Sequence, residues 1–282
     1  MGKQRSDINR RLSEKIRKGS PVQGICVSSG LEAKVAEKAG ADFLVTYAGA
    51  LFRREGVPAS LCELCYEDCN SVTEELGRHI LPRLEDIPLI GGIGCLDPYR
   101  DIDKFIDGLT AIGFSGVANL PSIGDWEGDF RTMPEQLHMG YEKEVELIQR
   151  CHNRGLFTFA NCYTQEQAVW MAGAGADVIC IDLGATQGGL LQSACMLHKK
   201  EASEKVKKIA DEILALKGTS FILFHGGPFA TAGDIELCLE TAAVHGVFSG
   251  SAAVRIPIEQ VVSAAIEKVG ALQLRGRERN SI

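Results

Sequence analysis

Apolar residues along this chain fall into two alternating patterns. Short β-branched or aromatic runs occur at 22–26, 42–47, 88–93, 116–119, 156–160, 177–182 and 220–225, with an eighth opening at Val247. Each stops at small or polar residues, as buried strands do. Between them, helical spacing predicts helices over 31–39, 73–84, 101–112, 141–153, 164–172, 202–216, 231–242 and 257–269, with Gly40 and Gly113 standing at helix stops. Ile8, Leu12 and Ile16, four residues apart on a charged segment, predict a short helix closing the bottom of the fold before the first strand.

Eight alternations of buried strand and helix imply a parallel sheet, and eight strands close it. The expected fold is therefore α/β, a (β/α)8 TIM barrel, in one domain over 1–282 with an N-terminal helical segment (1–20) and a tail (271–282). One short echo fits this count: Ala39-Gly-Ala-Asp42 before strand two recurs as Ala174-Gly-Ala-Asp177 before strand six. Three connections, 48–70, 120–140 and 183–200, are longer than a strand-to-helix turn needs and are expected to be lids or binding loops.

Hydrophobic residues make up 45% of the chain and charged residues 24%, which supplies a sizeable core and argues against disorder. A formal charge of −7 disfavours a general nucleic-acid binder. No run reaches transmembrane length. Met1-Gly-Lys-Gln-Arg-Ser6 matches the short N-myristoylation pattern, which chance alone supplies easily, so no membrane partner is expected. The 10 cysteines follow no short disulfide framework, and a reducing cytoplasm is the expected setting.

Catalytic groups of such barrels stand at the C-terminal ends of strands. His225 ends strand seven and could serve as acid, base or hydrogen-bond donor; Asp182 ends strand six and could act as base, metal ligand or orienter. Asn119 and Asn161 end strands four and five, where amides either position a carbonyl or tie down their own turns. The turns after strands seven and eight offer Gly226, Gly227, Gly250 and Ser251 as an anion cradle. Arg255 follows the second turn, and Arg53 and Arg131 stand in the long loops, where they could close over an anion. Asp97 is a metal candidate beside Asp182, and equally a turn starter before Pro98.

Ordered motifs then bring in a resemblance. Gly91-Gly-Ile-Gly-Cys95 with Asp97-Pro-Tyr-Arg100, Phe114-Ser-Gly-Val-Ala-Asn119-Leu-Pro-Ser122, Gly128-Asp-Phe-Arg131, Thr186-Gln-Gly-Gly189 and His225-Gly-Gly-Pro228 all take part. So do Met139-Gly-Tyr141, Met171-Ala-Gly-Ala-Gly-Ala-Asp177 and Val244-His-Gly-Val-Phe-Ser-Gly250. Over nearly its whole length the chain resembles the phosphoenolpyruvate hydrolase-like family of TIM-barrel enzymes. That family name implies kinship with phosphoenolpyruvate mutase and isocitrate lyase, enzymes that use a divalent metal and an enolate of pyruvate. The resemblance implies a small anionic enolpyruvate or keto-acid substrate, lyase or hydrolase chemistry, and Mg2+ as a cofactor. The Lys-Lys-Cys-Gly-His signature of many isocitrate lyase relatives is missing.

Cys62-Glu-Leu-Cys65-Tyr-Glu-Asp-Cys69 departs from the family. Its spacing invites a metal reading, but a fourth ligand is not evident, and reduced cysteines on a loop or subunit contact are the preferred reading. Two rivals to the leading function remain: a sugar-phosphate aldolase or isomerase, which the double glycine turn favours, and a non-catalytic anion sensor. Apolar helix surface leads to the expectation of a homo-oligomer.

Overall fold

The computed structural model describes residues 2–64, 66–191 and 197–273. Eight parallel strands close into a barrel in sequence order: β1 (Val22–Cys26), β2 (Phe43–Thr46), β3 (Leu89–Gly92), β4 (Gly116–Ala118), β5 (Phe157–Cys162), β6 (Val178–Asp182), β7 (Phe221–His225) and β8 (Gly246–Ser249). β8 returns to β1 with Val22 opposite Gly246 and Ile25 opposite Ser249. The predicted fold class is the observed one.

Eleven α-helices surround or extend the barrel among the described residues: α1 (Arg5–Arg17), α2 (Gly30–Lys38), α3 (Ala48–Arg54), α4 (Cys69–Ile80), α5 (Ile102–Ile112), α6 (Gly128–Gln136), α7 (Glu142–Asn153), α8 (Gln165–Gly173), α9 (Lys199–Ala215), α10 (Ala232–Thr241) and α11 (Arg255–Gly270). None is long and apolar enough to cross a membrane. Side chains set several starts. Ser29, Thr164 and Thr231 each accept from the backbone N–H three residues on, and Asp68 caps α4 in the same way. That last cap corrects the predicted start near 73, because it brings Cys69 and Asn70 into the first turn.

Two of the expected loops contain helices. The β2 crossover holds α3 and a 3-10 turn (Ala59–Glu63), and the β4 crossover holds α6. Periodicity missed them for different reasons: α3 is only seven residues long, and α6 buries none of its residues, so neither has an apolar stripe of useful length.

The lumen is filled from below. Phe43, Phe157, Phe159 and Phe248 interlock, with the Phe159–Phe248 ring centres 4.8 Å apart and Phe43–Phe159 5.8 Å apart. Burial of each ring contributes about 1.5–3 kcal/mol. Gly24 makes room for them, since a Cβ there would lie 2.4 Å from the Phe43 ring. Ile8 and Leu12 of α1 close the bottom, as the sequence predicted. The repeated Gly-Ala-Asp joint helps to hold α1 in place: Asp42 pairs with Lys15 (2.6 Å) and Asp177 with Arg5 (2.8 Å).

α11 differs from the other barrel helices. Arg255 is its only buried residue, while Ile258, Val261, Val262, Ile266 and Val269, spaced as one helical stripe, are all more than half exposed.

Candidate active site at the barrel mouth

Alternation along a strand decides which rim residues reach the lumen. Val178 and Cys180 belong to the interior cluster, so Asp182, two residues further, faces the same way. By the same parity Phe157 and Phe159 bring Asn161 inward, and Phe221 and Leu223 bring His225. Three of the four candidate catalytic residues therefore meet at one end of the barrel.

Asn119 has the opposite parity. Ala118 and Leu120 are interior, so Asn119 turns outward, where Nδ2 donates to Glu144 Oε2 on α7 (2.6 Å) and to the Asn161 carbonyl (3.1 Å). Its Oδ1 accepts from the Asn161 N–H (2.7 Å). With every amide atom engaged, it braces β4, β5 and α7, the turn-holding alternative of the sequence reading. Glu144 also accepts from Ser122 Oγ (2.7 Å) and Ile123 N (2.9 Å), fixing the start of the β4 crossover; burial pushes its carboxyl up to about 7.

Asp182 and His225 are direct partners across β6 and β7. Asp182 Oδ1 accepts from Gly184 N (2.7 Å) and Oδ2 from Asn161 Nδ2 (3.0 Å), which also donates to the Tyr163 hydroxyl (2.9 Å). Asn161 Oδ1 is buried with no partner among the described residues. His225 Nδ1 lies 2.8 Å from the Phe248 carbonyl oxygen. A carbonyl only accepts, so Nδ1 carries the hydrogen and Nε2 of the neutral ring is left as a base.

Of the two glycine turns expected to form a cradle, the second, with Gly250 and Ser251, borders a cavity, and the first does not. Gly227 N donates to Gly184 O (3.1 Å), and a Cβ on Gly226 would lie 1.9 Å from that same oxygen, so the first turn packs against the β6 loop. Its glycines are required by a close backbone approach at φ of 75° and 57°. The second turn makes room for a side chain: a Cβ on Gly250 would lie 2.7 Å from Arg53 Nη1.

Arg53 stands on α3 and is only 7% exposed. Nη2 donates to the Cys26 carbonyl (2.8 Å), and no carboxylate among the described residues pairs with it. Glu32 acts on it at longer range, its own carboxylate being held by Ser28 N (2.6 Å) and Oγ (2.9 Å). A cavity of about 210 Å³ opens at the guanidinium, walled by Tyr47, Ser60, Thr186, His225 and Ser251 among others and covered by the β2 crossover.

The remaining candidates divide. Arg255 lines this cavity, but its charge is met by Glu259 (2.7 Å) and Nη2 donates to Gly188 O (2.9 Å), which fastens α11 to the β6 loop. Arg131 pairs along exposed α6 with Glu135 (2.8 Å) and does not line the cavity. Asp97 is taken up by Arg100 (2.5 Å), Asn70 (2.9 Å) and the Tyr99 N–H (2.9 Å), as a turn starter would be. Of the cysteine group, Cys65 lies outside the described residues. Burial raises the thiols of Cys62 and Cys69.

Sequence reasoning passed over Glu63, which lay inside the cysteine spacing. It ends the 3-10 turn of the crossover that carries Arg53, and burial, then the negative charges of Asp125 and Asp182, push its carboxyl up to about 8. Nothing in the sequence pairs it with those residues, which lie in other crossovers and strands.

Known proteins share this architecture. A crystal structure of phosphonopyruvate hydrolase complexed with oxalate and Mg2+ superposes with a TM-score of 0.58 at 18% identity, covering 95% of this chain and 92% of that one. 2,3-Dimethylmalate lyase, a member of the phosphoenolpyruvate mutase/isocitrate lyase superfamily, superposes with a TM-score of 0.56 at 15% identity over 98% of this chain and 91% of its own. In sequence, the chain is 32% identical over 271 residues to the ToMV resistance protein Tm-1(GCR237) of Solanum lycopersicum, covering 96% of this chain. It spans 36% of the length of that curated relative. The model of the phosphoenolpyruvate hydrolase-like family matches residues 7–272, and the chain belongs to that family.

Proposed function

We propose that this chain is an enzyme acting on a small anionic substrate of the enolpyruvate or keto-acid type, by lyase or hydrolase chemistry. The observation that carries the reading is the pairing of Asp182 with His225 at the rim, with Nε2 of His225 left as a base beside a cavity that contains an unpaired guanidinium. In a lyase cycle Nε2 takes the proton of a substrate hydroxyl, and the adjacent C–C bond breaks with its electron pair passing to the departing keto acid as an enolate. The imidazolium then returns the proton to that carbon. In a hydrolytic cycle the same nitrogen takes its proton from water as the water oxygen bonds to phosphorus and the P–O or P–C bond breaks, and the imidazolium returns that proton to the departing enolate. Asp182, held by Asn161 and Gly184, is the positioned second polar group.

Mg2+ is part of the proposal as an ion completed by substrate and water. Among the described residues no three His, Cys, Asp or Glu side chains gather to hold a metal, but Mg2+ commonly uses one or two protein oxygens, and Asp182 with the orphaned Asn161 Oδ1 can supply them. Such an ion would supply positive charge to a developing oxyanion.

We also propose a cytoplasmic setting and a homo-oligomer joined through the apolar stripe of α11. Incubation with phosphoenolpyruvate, phosphonopyruvate and sugar phosphates tests the function. An organic acid product from the first two is the expected result. Product from sugar phosphates alone would favour the aldolase or isomerase reading, and tight binding without product the sensor.

A further inference from the structure

We infer that Arg53 anchors the carboxylate of a keto-acid ligand in a subsite between β1, β7 and β8. The inference rests on the enzymatic reading above and adds to it the group that is held and the residue that holds it.

Three observations converge. First, the cation is buried, and Glu32 acts on it only at longer range. Arg53 is 7% exposed, Nη2 donates to the neutral Cys26 carbonyl, and no carboxylate among the described residues pairs with it. A buried charge is costly unless something pairs with it, and removing a charge from water is not repaid by one carbonyl. Second, the surroundings are shaped for this side chain and open onto space. Gly250 leaves room for Nη1, and the cavity of about 210 Å³ begins at the guanidinium. Hydroxyls of Ser60, Thr186 and Ser251 line that space with no partners among the described residues, so they are available to a ligand's oxygens. Third, the charges count to one. Arg255, the other arginine in the wall, is already neutralised by Glu259 at 2.7 Å. A planar carboxylate matches one guanidinium in charge and in its two-pronged geometry, whereas a phosphate dianion would keep an unmatched negative charge in the cavity.

The test measures pyruvate and inorganic phosphate binding by calorimetry and thermal shift, in buffer containing EDTA so that no metal contributes. Wild-type protein is expected to bind pyruvate more tightly than phosphate. Arg53→Met should weaken pyruvate binding at least tenfold, and Arg53→Lys, which keeps the charge but loses the fork, should fall between. Without ligand, Arg53→Met is expected to melt no lower than wild type, because it removes an uncompensated buried charge. An arginine that merely tied down the Cys26 carbonyl would give the reverse: a lower melting temperature and unchanged pyruvate binding. That result, undetectable pyruvate binding by the wild type, or tighter Arg53-dependent binding of phosphate would each overturn the inference. His225→Gln separates it from the catalytic reading, since this variant should lose turnover and still bind pyruvate. A wild-type protein that binds pyruvate through Arg53 but turns over none of the candidate substrates would remove the enzyme and leave the subsite.

Discussion

Gly250 and Arg53 occupy one shared space at the barrel mouth: the point where a Cβ would sit on the glycine is 2.7 Å from Nη1 of the arginine and 3.6 Å from Cβ of Cys26. Only the first of these distances is a clash, and it involves the far end of a long side chain. Gly250→Ala should therefore fold normally, with a change in melting temperature of a few degrees, while the displaced guanidinium weakens binding of a carboxylate ligand by about tenfold, equivalent to ~1.4 kcal/mol. Thermal unfolding and pyruvate titration on the same sample check both halves. Unchanged affinity would mean that the guanidinium has another position from which it serves the cavity equally well.

Among the described residues His225 makes one side-chain hydrogen bond, to the Phe248 carbonyl. Its loss in His225→Ala is expected to cost about 1 kcal/mol of stability, the typical net value of such a bond. Removing a general base typically lowers turnover by about 10²–10⁴-fold. Steady-state rates beside a denaturant melt would show whether the second effect greatly exceeds the first. Equal turnover in variant and wild type would end the role of His225 as the proton carrier.

The barrel was legible because eight short apolar runs alternate with helical spacing, a pattern that few other folds share. Strand parity was equally present in the letters. Phe157-Thr-Phe-Ala-Asn161 and Val178-Ile-Cys-Ile-Asp182 place their polar ends two residues from bulky interior groups, and that same count would have turned Asn119 outward. What the letters could not show is contact between distant segments. Arg53 and Arg131 look alike as loop arginines, and only the folded β2 crossover reveals that one is buried against Gly250 while the other pairs with Glu135 in solvent. The glycines after β7 were legible as a turn, but whether their N–H groups face a ligand depends on Gly184, more than forty positions away, whose oxygen takes one of them.

The exposed stripe on α11 predicts self-association. Val262 and Ile266 stand four residues apart on a helix that buries only its first residue, and an apolar stripe left in water favours pairing with another copy of itself. Val262→Lys with Ile266→Glu leaves the barrel core untouched. It should shift the wild-type species, expected by light scattering to exceed one chain, to a monomer with unchanged circular dichroism. A monomeric wild type would remove the oligomer from the proposal.

Glu63 predicts how stability changes with pH. Burial and the nearby charges of Asp125 and Asp182 raise its carboxyl from 4.5 to about 8, so the folded chain holds a proton that the unfolded chain has already released. Stability rises with pH only where the unfolded state binds more protons, and here the folded state binds more, so the sign is negative. The contribution is complete below the unfolded value of 4.5 and is lost as pH rises through about 8. Glu63→Gln has no proton to release, so its melting temperature should decline less than that of wild type between those limits, and the two curves should separate most above pH 8. The paired melting curves test the crossover geometry directly. If they run parallel across the whole range, Glu63 does not share its surroundings with Asp125 and Asp182, and the β2 crossover does not sit over the mouth in the way that brings Arg53 to the cavity.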